Sequence, residues 1–113
     1  MSRWIAVGRI EDIPALGARV VRTLHGDIGV FRTADNRIFA VDDRCPHRGG
    51  PLSQGIVHGV QVTCPLHDRA IDLESGQAVA PDRGCVRVYP VRVSEGRIEL
   101  DLEGVAAPAA AAQ

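Results

Sequence analysis

The chain has 113 residues and a mass of 12.1 kDa, which fits a single domain, and 45% hydrophobic residues allow only a small core. Thirteen basic residues, every one an Arg, face 14 acidic ones, a balance that excludes a phosphate-tracking nucleic-acid surface. No window is apolar enough to span a membrane and the start Met1-Ser2-Arg3-Trp4 has no signal-peptide character, so a soluble, cytoplasmic protein is expected.

The apolar pattern has strand character nearly throughout. Trp4 to Val7 opens a short strand closed by Gly8, and Ile10 to Gly17, broken by Pro14, has room for one helical or 3₁₀ turn. Arg19 to Leu24 and Ile28 to Thr33 follow, separated by His25-Gly26-Asp27; Ala34 to Arg37 then turns the chain into Ile38 to Val41. From Asp42 to Pro51 the sequence reads as an irregular loop, and Ile56 to Thr63 as a hairpin turning at His58-Gly59. A second irregular loop begins at Cys64 and passes into Ala70 to Leu73, with a turn at Glu74 to Gln77.

Val86 to Val93 and Arg97 to Leu102 form the clearest hairpin, turning at Ser94-Glu95-Gly96. In its return strand Ile98, Leu100 and Leu102 alternate with Arg97, Glu99 and Asp101, which predicts one buried and one wet face. Eight or nine short strands without a helix of ten residues predict an all-β antiparallel barrel or sandwich. The domain is expected over residues 1–103, with 104–113 a flexible Ala-rich tail.

The two irregular loops carry the chemistry. Cys45-Pro46-His47 is followed, after sixteen intervening residues, by Cys64-Pro65-Leu66-His67. Two Cys and two His in Pro- and Gly-rich loops are metal-ligand types, and no core-packing pattern accounts for them. Zinc accepts four such ligands tetrahedrally, but C-x-H is an awkward spacing for one ion. A dinuclear iron–sulfur centre to which each loop gives one ligand per metal removes that demand, so the spacing favours it while leaving zinc open.

This paired motif, with Gly49-Gly50-Pro51-Leu52 between its halves, resembles that of the Rieske [2Fe–2S] proteins. More narrowly, almost the whole chain is similar to the small subunits of assimilatory NAD(P)H-dependent nitrite reductases. The similarity runs over Trp4 to Gly17, Val41 to Val57, Thr63 to His67, Ile71 to Leu73, Gly76, Gly84 to Val86 and Tyr89 to Val93.

The resemblance implies a Rieske-type fold whose two loops form a cluster-binding subdomain. It implies that Cys45 and Cys64 hold one iron through sulfur and that His47 and His67 hold the other through imidazole nitrogen. Two thiolates rather than four leave the oxidised centre neutral, so an electron is added more easily than to an all-thiolate cluster. Gly49-Gly50 would bring backbone N–H groups near the sulfides, and Pro46, Pro51 and Pro65 would stiffen the loops. The higher-potential Rieske proteins have an extra cysteine in each loop and hydroxyl donors after the second His. Here Arg48 and Leu66 adjoin the ligands, and Asp68, Arg69 and Ala70 follow His67, which implies a low potential. The family's common aromatic near Arg69 is missing, so a less shielded cluster or a covering partner is expected.

Nothing else in the chain suggests catalysis. There is no G-x-G-x-x-G fingerprint, no nucleophile triad and no room for a substrate domain. Cys85 is expected as a buried structural thiol, and His25 and His58 as surface residues of hairpin turns. Arg44, Arg48 and Arg69 are candidates for docking to an acidic rim, while Asp68 has no assigned role. The resemblance implies an electron-transfer subunit, not itself catalytic, serving a larger flavin-, [4Fe–4S]- and sirohaem-containing nitrite reductase that converts nitrite to ammonium. The alternatives are a stand-alone Rieske ferredoxin for an aromatic-ring dioxygenase and a non-redox zinc or structural module.

Overall fold

The computed structural model describes residues 4–23, 26–44, 50–64, 70–79 and 84–102. Ten short strands lie in these segments: β1 (Trp4–Arg9), β2 (Ala18–Thr23), β3 (Gly26–Arg32), β4 (Ile38–Asp42), β5 (Ile56–His58), β6 (Gln61–Thr63), β7 (Ala70–Asp72), β8 (Val88–Tyr89), β9 (Val91–Ser94) and β10 (Arg97–Asp101). The only helical pieces among the described residues are 3₁₀ turns at Ile10–Asp12 and Leu52–Gln54. The strands form three antiparallel sheets ordered β1-β10-β9, β2-β3-β4-β8 and β5-β6-β7. An all-β antiparallel architecture is what the alternation in the sequence predicts.

The sheet β2-β3-β4-β8 is central. Along β3, Ile28, Gly29, Val30 and Phe31 are all buried, a continuous run rather than an alternation, because both faces are covered. Ile28, Val30 and Ala40 pack with Ile13, Tyr89, Ile98 and Leu100 toward β10 and its neighbours. Phe31 and Val41 point the other way and pack with Leu52, Val57, Val62, Cys64, Ile71, Leu73 and Val86, mostly from the small sheet. The pairings Val30↔Ala40 and Phe31↔Phe39 keep each set on its own face.

Three of the four rings lie beneath a guanidinium. Arg37 covers Phe39 at 4.9 Å from the ring centroid, Arg87 covers Tyr89 at 6.0 Å and Arg92 covers Trp4 at 4.3 Å. A planar cation stacks on a ring more readily than an ammonium does, which suits a chain whose basic residues are all Arg. Arg32 reaches in the opposite sense, donating from Nη1 to the carbonyls of Ile13 at 2.6 Å and Ile10 at 3.2 Å. It thereby fastens the first 3₁₀ turn to the central sheet.

The predicted strand from Val86 to Val93 is broken at Pro90. With no N–H to give, Pro90 interrupts the ladder; β8 before it pairs with β4, and β9 after it with β10. The chain thus crosses there between two sheets. At that crossing Asp101, expected on the wet face, is buried, its N–H donating to the Pro90 carbonyl at 3.1 Å, while Leu102 is only half-buried. The β9–β10 turn uses Glu95 and Gly96, both at positive φ (53° and 78°), the geometry of a two-residue hairpin. The β5–β6 turn falls at Gly59-Val60, which leaves His58 at the end of β5 but still exposed. Cys85 is half-buried rather than buried, in a bridge opposite Gln77. His25 and the segment 103–113 lie outside the described residues.

Tyr89 is 7% exposed and its hydroxyl donates to Asp42 Oδ1 at 2.7 Å. Burial first, then that hydrogen bond to a carboxylate, pushes the hydroxyl up from 10.0 to about 12. Its folded value exceeds its unfolded one, so its stabilisation is complete below pH 10 and is lost as the pH rises toward about 12. Tyr89→Phe is expected to cost about 1.5 kcal/mol at neutral pH, the low end for a bond to a charged group, because Asp42 keeps Arg87. It should also flatten the fall in urea midpoint over that alkaline window. Parallel pH profiles for the two proteins would refute this.

Candidate metal centre

Of the four ligands named by the sequence motif, Cys64 is among the described residues; Cys45, His47 and His67 lie outside them, as do Pro46, Arg48, Gly49, Pro65, Leu66, Asp68 and Arg69. Among the described residues no group of three or more His, Cys, Asp or Glu is placed to hold a metal ion. What the fold does define is the base from which each motif segment leaves and to which it returns.

The second segment has the simpler base. β6 and β7 pair in register as Gln61↔Asp72, Val62↔Ile71 and Thr63↔Ala70, so the second segment leaves and rejoins the sheet at paired positions. Cys64 directly follows the closing pair. It is fully buried and belongs to the cluster of Leu52, Val57, Val62 and Phe31. A thiolate in apolar surroundings is costly unless a metal neutralises it.

The first segment leaves the end of β4 and returns through Gly50, which is buried, Pro51 and the 3₁₀ turn at Leu52–Gln54. Leu52 anchors this return in the same apolar cluster, and its carbonyl accepts the Gly55 N–H at 2.9 Å. β5 then pairs with β6, with Ile56 opposite Thr63. Gly55 lies so close to β6 that a Cβ there would sit 2.1 Å from the Thr63 carbonyl oxygen and 3.1 Å from its carbon. The return of the first segment therefore abuts the residue that introduces Cys64. The two segments rise from one shared base, as a centre with ligands from both requires.

Two adjacent carboxylates at the end of β4 complete that base. Asp42 Oδ2 accepts from the Arg87 N–H at 3.1 Å and Nε–H at 3.0 Å, and its Oδ1 accepts from Tyr89. Asp43 accepts from Ser53, by Oδ1 from the N–H at 2.6 Å and by Oδ2 from the hydroxyl at 2.8 Å. Sequence reasoning gave neither carboxylate a role. The available signal is the Asp42-Asp43 pair at the end of an apolar strand, immediately before the first ligand loop. Arg44 is exposed, as a docking residue must be. His58 is also exposed, its Nε2 2.6 Å from Thr63 Oγ1.

The described residues fit an iron–sulfur centre. A soft sulfur donor, Cys64, is buried at the end of β6, and the return of the first segment at Gly55 packs beside it against Thr63. Residues 3–101 match the Rieske-like [2Fe-2S] domain. The chain belongs to that family. It is a Rieske electron-transfer protein with a Rieske-type [2Fe–2S] cluster, which sets aside the zinc module.

The anthranilate 1,2-dioxygenase ferredoxin subunit of Burkholderia cepacia is 39% identical over 107 residues, spanning 90% of this chain and 94% of that protein. The 3-phenylpropionate/cinnamic acid dioxygenase ferredoxin subunit of Photorhabdus laumondii is 38% identical over 91 residues, covering 79% and 85%. Among solved structures, a chain from Mycobacterium tuberculosis assigned as the small subunit of an NADH-dependent nitrite reductase superposes with a TM-score of 0.81. It is 27% identical, over 89% of this chain and 96% of that one. A chain in the complex of reduced oxygenase and oxidised ferredoxin of carbazole 1,9a-dioxygenase gives a TM-score of 0.77 at 27% identity, over 87% and 92%.

Gly55→Ala tests the shared base. The added methyl forces β5 and β6 apart at Thr63, and overpacking of this kind costs about 1–3 kcal/mol. The variant should show a lowered urea midpoint and reduced iron content as purified. Wild-type values for both would mean that the contact does not hold the loops.

Proposed function

We propose that this chain is a free-standing Rieske ferredoxin that delivers single electrons to the oxygenase of an aromatic-ring dioxygenase system. Cys45 and Cys64 hold one iron through sulfur, and His47 and His67 hold the other through imidazole. The observation that carries the reading is the 39% identity to a dioxygenase ferredoxin subunit along nearly the full length of both chains. Among the stretches similar to the nitrite reductase small subunits, which span most of the chain, those of the ligand loops serve any Rieske electron carrier. They do not choose the partner.

The cluster supplies a one-electron couple; this chain's residues keep it dry on one side and bind it. Cys64 sits in the apolar cluster, and Asp42, Asp43 and Gly55 hold the loop roots. The potential should fall near the lower end of the roughly −150 to +300 mV Rieske range, because no Ser or Tyr follows His67 to donate to the sulfides.

A second reading, the electron-transfer subunit of a nitrite reductase, is favoured by the TM-score of 0.81 to the M. tuberculosis chain. In that case the partner is a larger flavin-, [4Fe–4S]- and sirohaem-containing subunit.

Anaerobically purified protein should contain two irons and two acid-labile sulfides per chain and, after dithionite, an electron resonance signal of lower average g than an all-thiolate cluster. Cys64→Ser and His67→Ala should each abolish that signal; its persistence in either would overturn the ligand assignment. To choose the partner, dithionite-reduced protein is mixed in a stopped-flow cell with purified B. cepacia anthranilate dioxygenase oxygenase. Rapid reoxidation of the cluster supports the first reading. Failure to reoxidise, with copurification of the untagged protein with a large sirohaem polypeptide, replaces it by the second.

A further inference from the structure

Asp43 lies just after β4, directly before the segment that carries Cys45 and His47. Both of its oxygens are taken by one residue, Ser53, at 2.6 Å from the N–H and 2.8 Å from the hydroxyl. Asp43 and Ser53 stand on opposite sides of the segment that carries Cys45 and His47. Each also rests on a firm support. The Asp43 N–H donates to the Asp27 carbonyl in β3 at 2.9 Å, which ties the carboxylate to the central sheet. Ser53 lies in the 3₁₀ turn after Pro51, between fully buried Leu52 and the close-packed Gly55. Pro51 gives that turn no side-chain cap, so Asp43 satisfies its free N–H from across the loop.

We propose that Asp43 is a positioning residue for the iron–sulfur centre: its two-point hold on Ser53 fixes the spacing between the described ends of the segment that carries Cys45 and His47, and so tightens retention of the cluster. The proposal rests on the ligand assignment made above. With its ends untied, a loop of this length must surrender its closure entropy when the cluster is inserted. With the clamp closed beforehand, that cost is met by folding, and the cluster is held more tightly. Two bonds are needed rather than one, because a single bond lets Ser53 swivel about the carboxylate whereas a pair fixes its orientation.

Three variants test this: Asp43→Ala, Ser53→Ala and Asp43→Asn. Asn keeps the shape of the clamp, its Oδ1 accepting the Ser53 N–H and its amide donating to the Ser53 hydroxyl. Each protein is purified anaerobically with its cluster, and three quantities are followed: the rate of iron release to excess chelator, the g values after dithionite, and the urea midpoint. Asp43→Ala should release iron roughly tenfold or more faster than wild type, the usual loss when a partner behind the ligands is removed. Its g values should shift and broaden. Ser53→Ala, which keeps the N–H bond, should fall between, and Asp43→Asn should restore wild-type behaviour.

A merely structural residue would lower the urea midpoint and leave the release rate and g values unmoved; that result in Asp43→Ala overturns the proposal, as does a failure of Asp43→Asn to rescue. If Asp43→Ala does not fold, Ser53→Ala decides, and wild-type release from it is fatal. A wild-type protein without the Rieske signal removes the ligand assignment and this proposal together. A wild-type signal with unaltered variants removes the clamp alone.

Discussion

Two loops far apart in sequence can serve one centre only if their roots are held together, and here a backbone contact does this. Gly55 lies against the carbonyl of Thr63 so closely that no side chain fits between them. The residue leaving the first loop thus touches the residue entering the second. Around that contact β5 is paired to β6, Leu52 is buried, and Asp43 spans to Ser53. Of these supports, the Gly55–Thr63 contact, the β5–β6 pairing and the Asp43–Ser53 bonds involve no Cys or His of the ligand motif.

The central sheet carries this arrangement. Its strands β3 and β4 are covered on both faces, by β10 and its neighbours on one side and by the small sheet that bears Cys64 on the other. Each fully buried Val, Leu, Ile or Phe is worth roughly 1.5–3 kcal/mol relative to exposure, so a sheet buried twice is a strong foundation in a chain this short. Asp42 and Asp43 extend from the end of β4 and pass that rigidity to Arg87 and Tyr89 on one side and to Ser53 on the other.

The strands were legible because antiparallel pairs with one wet face leave a period of two, as in Ile98 and Leu100 against Arg97. Their grouping into sheets was not. Val86 to Val93 looks like one strand, and only the missing N–H of Pro90, together with partners at β4 and β10, divides it. Asp101 follows the polar alternation yet is buried, because its place at the crossing between sheets overrides the period. Cys45-Pro46-His47 and Cys64-Pro65-Leu66-His67 point to an iron–sulfur centre because few other chemistries use that set of residue types. The ties at the loop roots were not legible, since they join Asp43 to Ser53 and Gly55 to Thr63 across distances that no local pattern reports. The larger partner was not legible for a related reason: ligand-loop residues record the needs of the cluster and not the choice of partner.

The placement of β3 and β4 between two separate apolar clusters also has an evolutionary consequence. These strands, with side chains alternating between the two faces of the central sheet, stand between the packing around Ile98 and Leu100 and that around Cys64. Substitutions in the outer cluster can accumulate without repacking the iron-bearing half, so a lineage is free to redesign one flank while the redox chemistry on the other stays insulated from the change.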